Sequence, residues 1–155
     1  MNRTFMQAAI DLARENVRSG NGGPFGAIVV HGQEIVGRGA NRVTANNDPT
    51  AHAEVLAIRE ACKALGTFRL EDCAIYCSCE PCPMCLAAIY WARIGKVYYA
   101  AQRDDAARVG FSDEFIYREL SRPVQERRVI CEQLMRSEAL MVLDEWRANP
   151  DKQMY

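Results

Sequence analysis

The stretch 48–85 constrains this chain more than any other, because it holds two groups of residues suited to a single metal ion. The first group is His52 with Glu54 two positions later, and the second is Cys82 with Cys85, flanked by prolines. One imidazole and two thiolates make three ligands for zinc, and three protein ligands leave one position of a tetrahedral ion open for water. The fold must therefore bring the two segments together, with the carboxylate near that water.

Cys82 and Cys85 lie three positions apart at the start of a helix predicted over 82–93. This spacing puts both thiols on one helix face, and the positive end of the helix dipole lowers their pKa values towards the thiolate form that a metal requires. In the alternative interpretation both are buried structural cysteines. The flanking prolines and the distant histidine and glutamate favour metal binding, so we expect one Zn²⁺ per subunit.

A second kind of metal site is also compatible with the sequence. A closed structural zinc site or an iron–sulfur site needs four thiolates, here Cys77, Cys79, Cys82 and Cys85. That site would leave His52 and Glu54 without a role. The metal content of serine variants at the first two cysteines distinguishes the two interpretations.

Glu54 has a defined task if zinc is bound. Zinc lowers the pKa of its water from about 15.7 towards 7, and a nearby carboxylate can take the proton and pass it to a substrate. One difficulty follows from a helix predicted to begin with Asp48 as its cap and Pro49 as its first residue. On a regular helix, His52 and Glu54 would point about 200° apart. An irregular first turn would remove the conflict.

The order of predicted elements indicates an α/β fold. Helices alternate with short strand-like runs, including Phe25 to Val30, Ile35 to Asn41, 73–79 and 96–101, and a fifth strand is predicted near 129–134. This alternation predicts a three-layer α/β/α sandwich around a mixed five-stranded sheet, in one domain over residues 1–155.

Composition limits the partners. Nineteen basic and twenty acidic residues give a net charge of −1, which lacks the electrostatic footprint of a nucleic-acid binder and favours a compact small substrate. We find no signal peptide pattern and no run of membrane-spanning length. Seven cysteines without an export signal argue against a disulfide framework, so a reducing cytoplasm is the expected compartment.

Several long motifs resemble those of the cytidine-deaminase-like superfamily, and more closely its bacterial guanine deaminases. These motifs are GGPFGA at 22–27, NDPTAHAE at 47–54, CEPCPMC at 79–85 and AIYWAR at 88–93. The resemblance extends through Gly110 and Phe111 to Tyr155 and so covers essentially the whole chain. It implies a cytidine-deaminase-like fold and the hydrolysis of guanine, a purine base, to xanthine and ammonia.

The resemblance also assigns residues. It implies that zinc is held by His52, Cys82 and Cys85, that Glu54 shuttles protons, that Asp113 is a second proton carrier, and that the purine is bound by Asn41, Phe25, Ala53, Trp91 and Tyr155. It further implies a homodimer that exchanges a carboxy-terminal segment of about 137–155. Tyr155 would then complete the site of the partner subunit.

Each of these roles has an ordinary alternative. Asn41 can simply end a strand, Phe25 and Trp91 can be core aromatics, and Asp113 can be a carboxylate at a helix start. The main competing function is a tRNA-adenosine deaminase, which shares the metal ligands but needs an open, basic rim. Cytosine, adenine and aminotriazines are further possible substrates of the same chemistry.

Overall fold

The computed structural model describes residues 2–155, which form two compact units, the first ending at Asp113 and the second running Glu114–Tyr155. The first unit contains, in chain order, α1 (Arg3–Arg18), β1 (Gly26–His31), β2 (Glu34–Ala40), α2 (Val43–Asn46), α3 (Ala53–Leu65), β3 (Cys73–Cys79), α4 (Pro83–Trp91), β4 (Lys96–Ala101) and α5 (Arg103–Arg108). The second contains α6 (Glu114–Ser121), a 3₁₀ turn (Val124–Glu126) and α7 (Arg136–Ala148). Within the described residues, no helix is long and apolar enough to cross a membrane.

The strands of the first unit form one mixed sheet in the order β2-β1-β3-β4. β1 pairs antiparallel with β2 and β3, whereas β3 and β4 are parallel and are joined through α4. The predicted α/β class and mixed sheet are confirmed. The strand predicted over 73–79 is β3, and its side chains alternate between the two faces, because Ile75 and Cys77 face one core cluster and Tyr76 faces the other.

The prediction of a fifth strand was wrong, since the sheet formed by the described residues has four strands. Residues 127–135 carry no helix or strand in the structure. Val129, Ile130 and Leu134 are 73%, 83% and 84% exposed, so this run lacks the half-buried face that supports a strand. Without a neighbouring strand to pair its backbone, a β-branched run alone does not form a strand.

Two separate cores lie on the two faces of the sheet. On one face, Ile28 and Val30 of β1 pack with Ala9 of α1. On the other face, Ala27 and Val29 pack with α3 and α4. Successive side chains of a strand point to opposite faces, so β1 supplies both cores and the unit has three layers.

Helix α3 lies unusually close to β2. A Cβ added to Gly39 would lie 2.0 Å from the carbonyl oxygen of Ala53, and one added to Gly37 would lie 2.2 Å from that of Ala57. Only glycine permits this backbone approach. The glycines of β2 therefore fix the height of the first turn of α3 above the sheet, and that turn carries Glu54.

Replacing Gly39 with alanine is expected to lower the free energy of unfolding by about 3 kcal/mol, because neither backbone can yield to the added methyl group. It should also reduce zinc content by shifting the start of α3. Gly95→Ala is the matched control, since its Cβ would lie 3.7 Å from the nearest atom, the Glu71 carbonyl oxygen. Thermal and urea denaturation with metal analysis check this. Equal stability of the two variants would contradict the packing argument.

Candidate active site

His52 is the cap residue of α3, not part of a regular helical turn. Its backbone is extended, with φ −73° and ψ 153°, and the helix begins at Ala53. The predicted helix start at Asp48 and Pro49 was wrong. Asp48 instead begins a turn, because its carboxylate accepts hydrogen bonds from the Thr50 amide at 2.8 Å and the Thr50 hydroxyl at 2.7 Å.

This cap geometry removes the conflict between His52 and Glu54. The 100° rotation per residue applies only within a helix, and His52 lies before the helical backbone begins. Glu54 is the second residue of α3 and is buried, at 8% exposure. The two side chains are therefore not forced onto opposite sides of a helix.

The start of α4 repeats this arrangement. Cys82 is the cap residue, with an extended backbone at φ −66° and ψ 169°, and Pro83 occupies the first helical position. Proline fits there because its missing N–H would have no helical partner. Cys85 follows two positions later and is fully buried. Two helix amino termini thus supply the predicted ligands, and their dipoles favour thiolate at the cysteines.

The three predicted ligands come together. The Nδ1 atom of His52 lies 3.6 Å from Cys82 Sγ and 3.4 Å from Cys85 Sγ, and all three atoms lie within 4.8 Å of one another. Zinc–sulfur and zinc–nitrogen bonds of ordinary length at a tetrahedral angle place sulfur and nitrogen about 3.6 Å apart. The separations therefore fit a zinc ion bound through Nδ1 and two thiolates.

The protonation of the Cys82 and Cys85 thiols favours the binding of a cation. Hydrogen bonds from Cys85 and from His52 hold the pKa of the Cys82 thiol at about 4, against the effect of burial. The pKa of Cys85 is raised, first because its proton is shared with the Cys82 sulfur and also because it is buried. The hydrogen bond to Cys82 raises the pKa of His52. A bound zinc ion would displace these shared protons.

Glu54 lies in the same environment as the ligands. Burial raises the pKa of its carboxyl group, the charge on Cys82 raises it further, and a hydrogen bond with Cys85 opposes the shift. A carboxylate with a raised pKa is a stronger base than an exposed one, so it accepts a proton more readily. This property suits the shuttle that the sequence predicts.

Cys77 and Cys79 do not join the ligand group. Cys77 is 1% exposed and faces the core, and burial raises its pKa well above that of a free thiol. Burial raises the pKa of Cys79 to about 11, and its thiol donates to the Gln102 carbonyl at 3.6 Å. Neither sulfur belongs to the ligand group, which among the described residues holds only His52, Cys82 and Cys85, so the four-thiolate alternative loses its support.

Asn41 lies directly after β2, and hydrogen bonds hold the oxygen end of its side-chain amide. Its Oδ1 atom accepts hydrogen bonds from the Gly23 and Val43 amides, both at 3.3 Å. The residue is 6% exposed. Among residues 2–155, its Nδ2 group bonds to no other group and is not fully enclosed. Asn41 can therefore offer only N–H donors to a ligand.

Aromatic residues flank this junction. The rings of Phe25 and Phe111 meet edge to face, with centroids 5.0 Å apart. No sequence signal pairs Phe111 with Phe25, because the two residues lie 86 positions apart and phenylalanine is a common residue. Trp91 is the last residue of α4 and is 66% exposed. Its predicted role as an aromatic wall stays a prediction.

Asp113 ends the first unit and is half-buried. Burial raises its pKa, and the charges on Cys82 and Glu80 act on it in the same direction, so it lies in the electrostatic environment of the ligands. Two carboxylates near Asp113 in sequence are engaged elsewhere: the Asp105 carboxylate accepts from the Gln102 amide at the start of α5, and Glu114 pairs with Arg118 at 3.8 Å.

The two remaining predicted residues belong to different units. Ala53, at 1% exposure, is the first residue of α3, between His52 and Glu54. Tyr155 ends the second unit and is 69% exposed. Their predicted contacts with a substrate stay predictions.

Comparison with known proteins agrees with the metal site. Residues 1–101 match the family model described as the cytidine and deoxycytidylate deaminase zinc-binding region. The chain belongs to the cytidine and deoxycytidylate deaminase family. Zinc is thus the metal of this deaminase, and its three-ligand group is the only one of its kind among the described residues.

Relatives of this deaminase differ in how much of their length it matches. It is 53% identical to guanine deaminase of Bacillus subtilis over 98% of its own length and 97% of the relative's. It is 44% identical to tRNA-specific adenosine deaminase of Aquifex aeolicus, over 63% of its own length and 64% of the relative's.

Solved structures of guanine deaminases also superimpose on this deaminase. A crystal structure of guanine deaminase from Bacillus subtilis superimposes with a TM-score of 0.96, at 52% identity, covering 100% of this deaminase and 99% of that chain. Guanine deaminase from Nitrosomonas europaea superimposes with a TM-score of 0.69, at 32% identity, covering 73% and 65%.

Proposed function

We propose that this chain hydrolyses guanine to xanthine and ammonia. The observation that carries the proposal is that His52, Cys82 and Cys85 lie at separations that fit one zinc ion, with the buried Glu54 beside them. The choice of guanine rests on similarity to the Bacillus subtilis enzyme over nearly the full length of both chains. The net charge of −1 also favours a small base over a tRNA.

The roles follow from the positions of the side chains. Zinc supplies Lewis acidity that lets a water molecule lose its proton near neutral pH. Glu54 takes that proton and delivers it to the ring nitrogen next to the carbon that bears the amine, while the water oxygen bonds to that carbon. It then moves the remaining proton of the added hydroxyl group to the amine nitrogen, so that the carbon–nitrogen bond breaks, the carbonyl of xanthine forms and ammonia leaves. Asp113 assists proton transfer near the ligands. The buried setting excludes bulk water and strengthens each of these interactions.

The purine is held by groups around the junction after β2. The Nδ2 donors of Asn41 meet an acceptor atom of the base, because the Oδ1 end is already occupied by two backbone amides. Phe25, with Phe111 against it, and Trp91 flank the ring faces. Ala53 lines the site between the histidine and the glutamate. A planar ring gains dispersion and stacking energy from such walls.

The test is a substrate panel. Purified zinc-loaded protein is given guanine, cytosine, adenine and a tRNA anticodon hairpin, and ammonia is measured together with the identity of each product. We expect guanine to react with the largest kcat/KM. Guanine left unchanged while another substrate is deaminated would overturn the proposed specificity while leaving the zinc chemistry in place.

The proposal includes a homodimer that exchanges its carboxy-terminal segment. Helices α6 and α7 contain no buried residue. Their exposed apolar side chains include Phe115, Leu120, Met141, Leu143 and Trp146. Exposed apolar patches of this kind mark interaction surfaces. A second copy of the chain covers them and places its Tyr155 over the partner's site.

Deleting Met154 and Tyr155 is expected to lower kcat/KM about 10²-fold, because the substrate loses a positioning contact, while the melting temperature stays nearly unchanged. Gln153→Ala is the control, since it alters the tail but keeps the tyrosine. Steady-state kinetics and thermal denaturation check this prediction. A truncated protein that keeps half of the wild-type kcat/KM would remove Tyr155 from the site.

Mixing two inactive variants tests the exchange itself. The truncated chain keeps Glu54 but lacks Tyr155. The full-length Glu54→Gln chain keeps Tyr155 but lacks the carboxylate. Co-expressed, they should recover about one quarter of wild-type activity, because half of randomly assembled dimers are mixed and one of their two sites is complete. Activity no higher than that of the separate variants would contradict exchange between subunits.

A further inference from the structure

Asn16 is a buried polar residue on the sheet-facing side of α1, where apolar residues are expected. It is 2% exposed and continues the buried stripe begun by Ala9 and Ala13. The helix touches the sheet at backbone level, since a Cβ added to Gly26 would lie 2.3 Å from the Ala9 oxygen and 2.7 Å from the Ala13 nitrogen. Asn16 is therefore held at a fixed height over the loop that precedes β1.

The side chain of Asn16 joins two segments that are distant in sequence. Its Nδ2 group donates to the Gly23 carbonyl at 2.9 Å and to the Asn41 carbonyl at 2.8 Å. Two carbonyl acceptors also fix which way the amide points, because the reversed amide would set oxygen against oxygen. One asparagine therefore ties the loop before β1 to the residue after β2.

This arrangement costs stability. The Oδ1 atom of Asn16 is buried and has no hydrogen-bond partner among the described residues. An unpaired buried acceptor is unfavourable, and such atoms in folded proteins call for an explanation other than packing.

The hydrogen bonds of Asn16 also restrain the side chain of Asn41. Gly23 links the two residues, because its carbonyl accepts from Asn16 Nδ2 and its amide donates to Asn41 Oδ1. A Cβ on Gly22 would lie 2.2 Å from the Asn41 carbonyl oxygen, so the loop and Asn41 also touch directly. Displacing the loop would release the Oδ1 end of Asn41 and let its amide rotate.

We infer that Asn16 is a positioning residue for the substrate: it acts through Asn41, holding the Nδ2 donors of that amide towards the purine acceptor. Asn16 does not touch the substrate itself. The inference rests on the proposed function, in which Asn41 binds the base. It extends the purine site to α1, a helix with no other part in the chemistry.

A double-mutant cycle tests this inference. Asn16→Ala is expected to raise KM for guanine about tenfold while kcat per bound zinc changes less than threefold, the pattern of lost substrate binding. In an Asn41→Ala background the same change should alter KM less than twofold, because the residue through which Asn16 acts is already absent. Asn21→Ala is the matched control, since Asn21 bonds the Ser19 hydroxyl at 2.8 Å.

Asn16→Ser is made alongside, since a serine hydroxyl can bond a carbonyl of its own helix and spares the fold an unpaired group. It should raise KM as Asn16→Ala does. KM within twofold of wild type, equal effects in both backgrounds, or failure of both variants to fold would each overturn the inference. Absent turnover of guanine by the wild-type protein would instead contradict the proposed function. The cycle would then be measured with the base that is deaminated, or with the dissociation constant of guanine.

Discussion

Replacing Glu54 with glutamine is expected to leave one zinc ion per chain and to lower kcat about 10²- to 10⁴-fold. Glutamine keeps the size of the side chain and its ability to hydrogen-bond, but it cannot take a proton from water. The residue is buried beside the ligands and its carboxyl pKa is raised, so the lost function is proton transfer rather than packing. Metal analysis and steady-state ammonia release on the same samples measure both quantities.

Glu60→Gln is the control for this change. Glu60 lies on the same helix but is exposed, and it accepts a hydrogen bond from the Arg38 amide at 3.2 Å. Its replacement should leave kcat within about twofold of wild type, as is usual for surface changes. A Glu54→Gln protein that keeps half of its activity would remove the shuttle role. Loss of zinc from that protein would make Glu54 a ligand instead.

Replacing Cys85 with serine should remove zinc and reduce activity by more than about 100-fold, because changing only a residue that hydrogen-bonds to a metal ligand already lowers metal affinity or activity about 10- to 100-fold. Cys85 is fully buried, its sulfur lies 3.4 Å from His52 Nδ1, and among the described residues the ligand group holds no thiol besides Cys82 and Cys85. Zinc content and ammonia release measure the result. Added zinc at high concentration should restore little of the activity.

Cys79→Ser is the matched variant for Cys85→Ser. Cys79 is also a buried cysteine, but its thiol bonds the Gln102 carbonyl and it lies outside the ligand group. Serine can make the same hydrogen bond, so zinc should stay at one ion per chain. Loss of zinc from Cys79→Ser as well as from Cys85→Ser would support the four-thiolate site and contradict the site described above.

The metal site was predictable from sequence because its ligands lie at short, distinctive spacings next to helix starts. The Cys82 and Cys85 pair needs only one helical turn, and the structure places both at the start of α4. The helix start near His52 was not predictable. Asp48 followed by Pro49 is a strong start signal, yet the same two residues also open a turn, and the structure has the turn.

The sheet was predictable where local pattern and tertiary burial agree. β3 alternates in sequence and has both of its faces covered, so its predicted bounds at Cys73 and Cys79 match the structure. The run 129–134 has a similar apolar content but exposed side chains. Strand formation depends on a pairing partner, and a single sequence does not show where one will be.

The contacts around Asn41 could not be predicted from spacing at all. Asn16 is 25 positions from Asn41, and Phe111 is 86 positions from Phe25. Asparagine and phenylalanine have many ordinary uses, so neither pair gives a sequence signal. Only the fold brings them together, because α1 packs over β1 and the chain after β4 returns to the loop before β1.

The most direct measurement is the fate of guanine in ¹⁸O-labelled water with the zinc-loaded protein. If water adds to the carbon that bears the amine, each guanine consumed yields one ammonia and one xanthine that carries a single ¹⁸O atom. The Glu54→Gln protein should show the same product at a rate at least about 10²-fold lower. Guanine recovered unchanged, or a product without the label, would contradict the central claim that this site hydrolyses guanine.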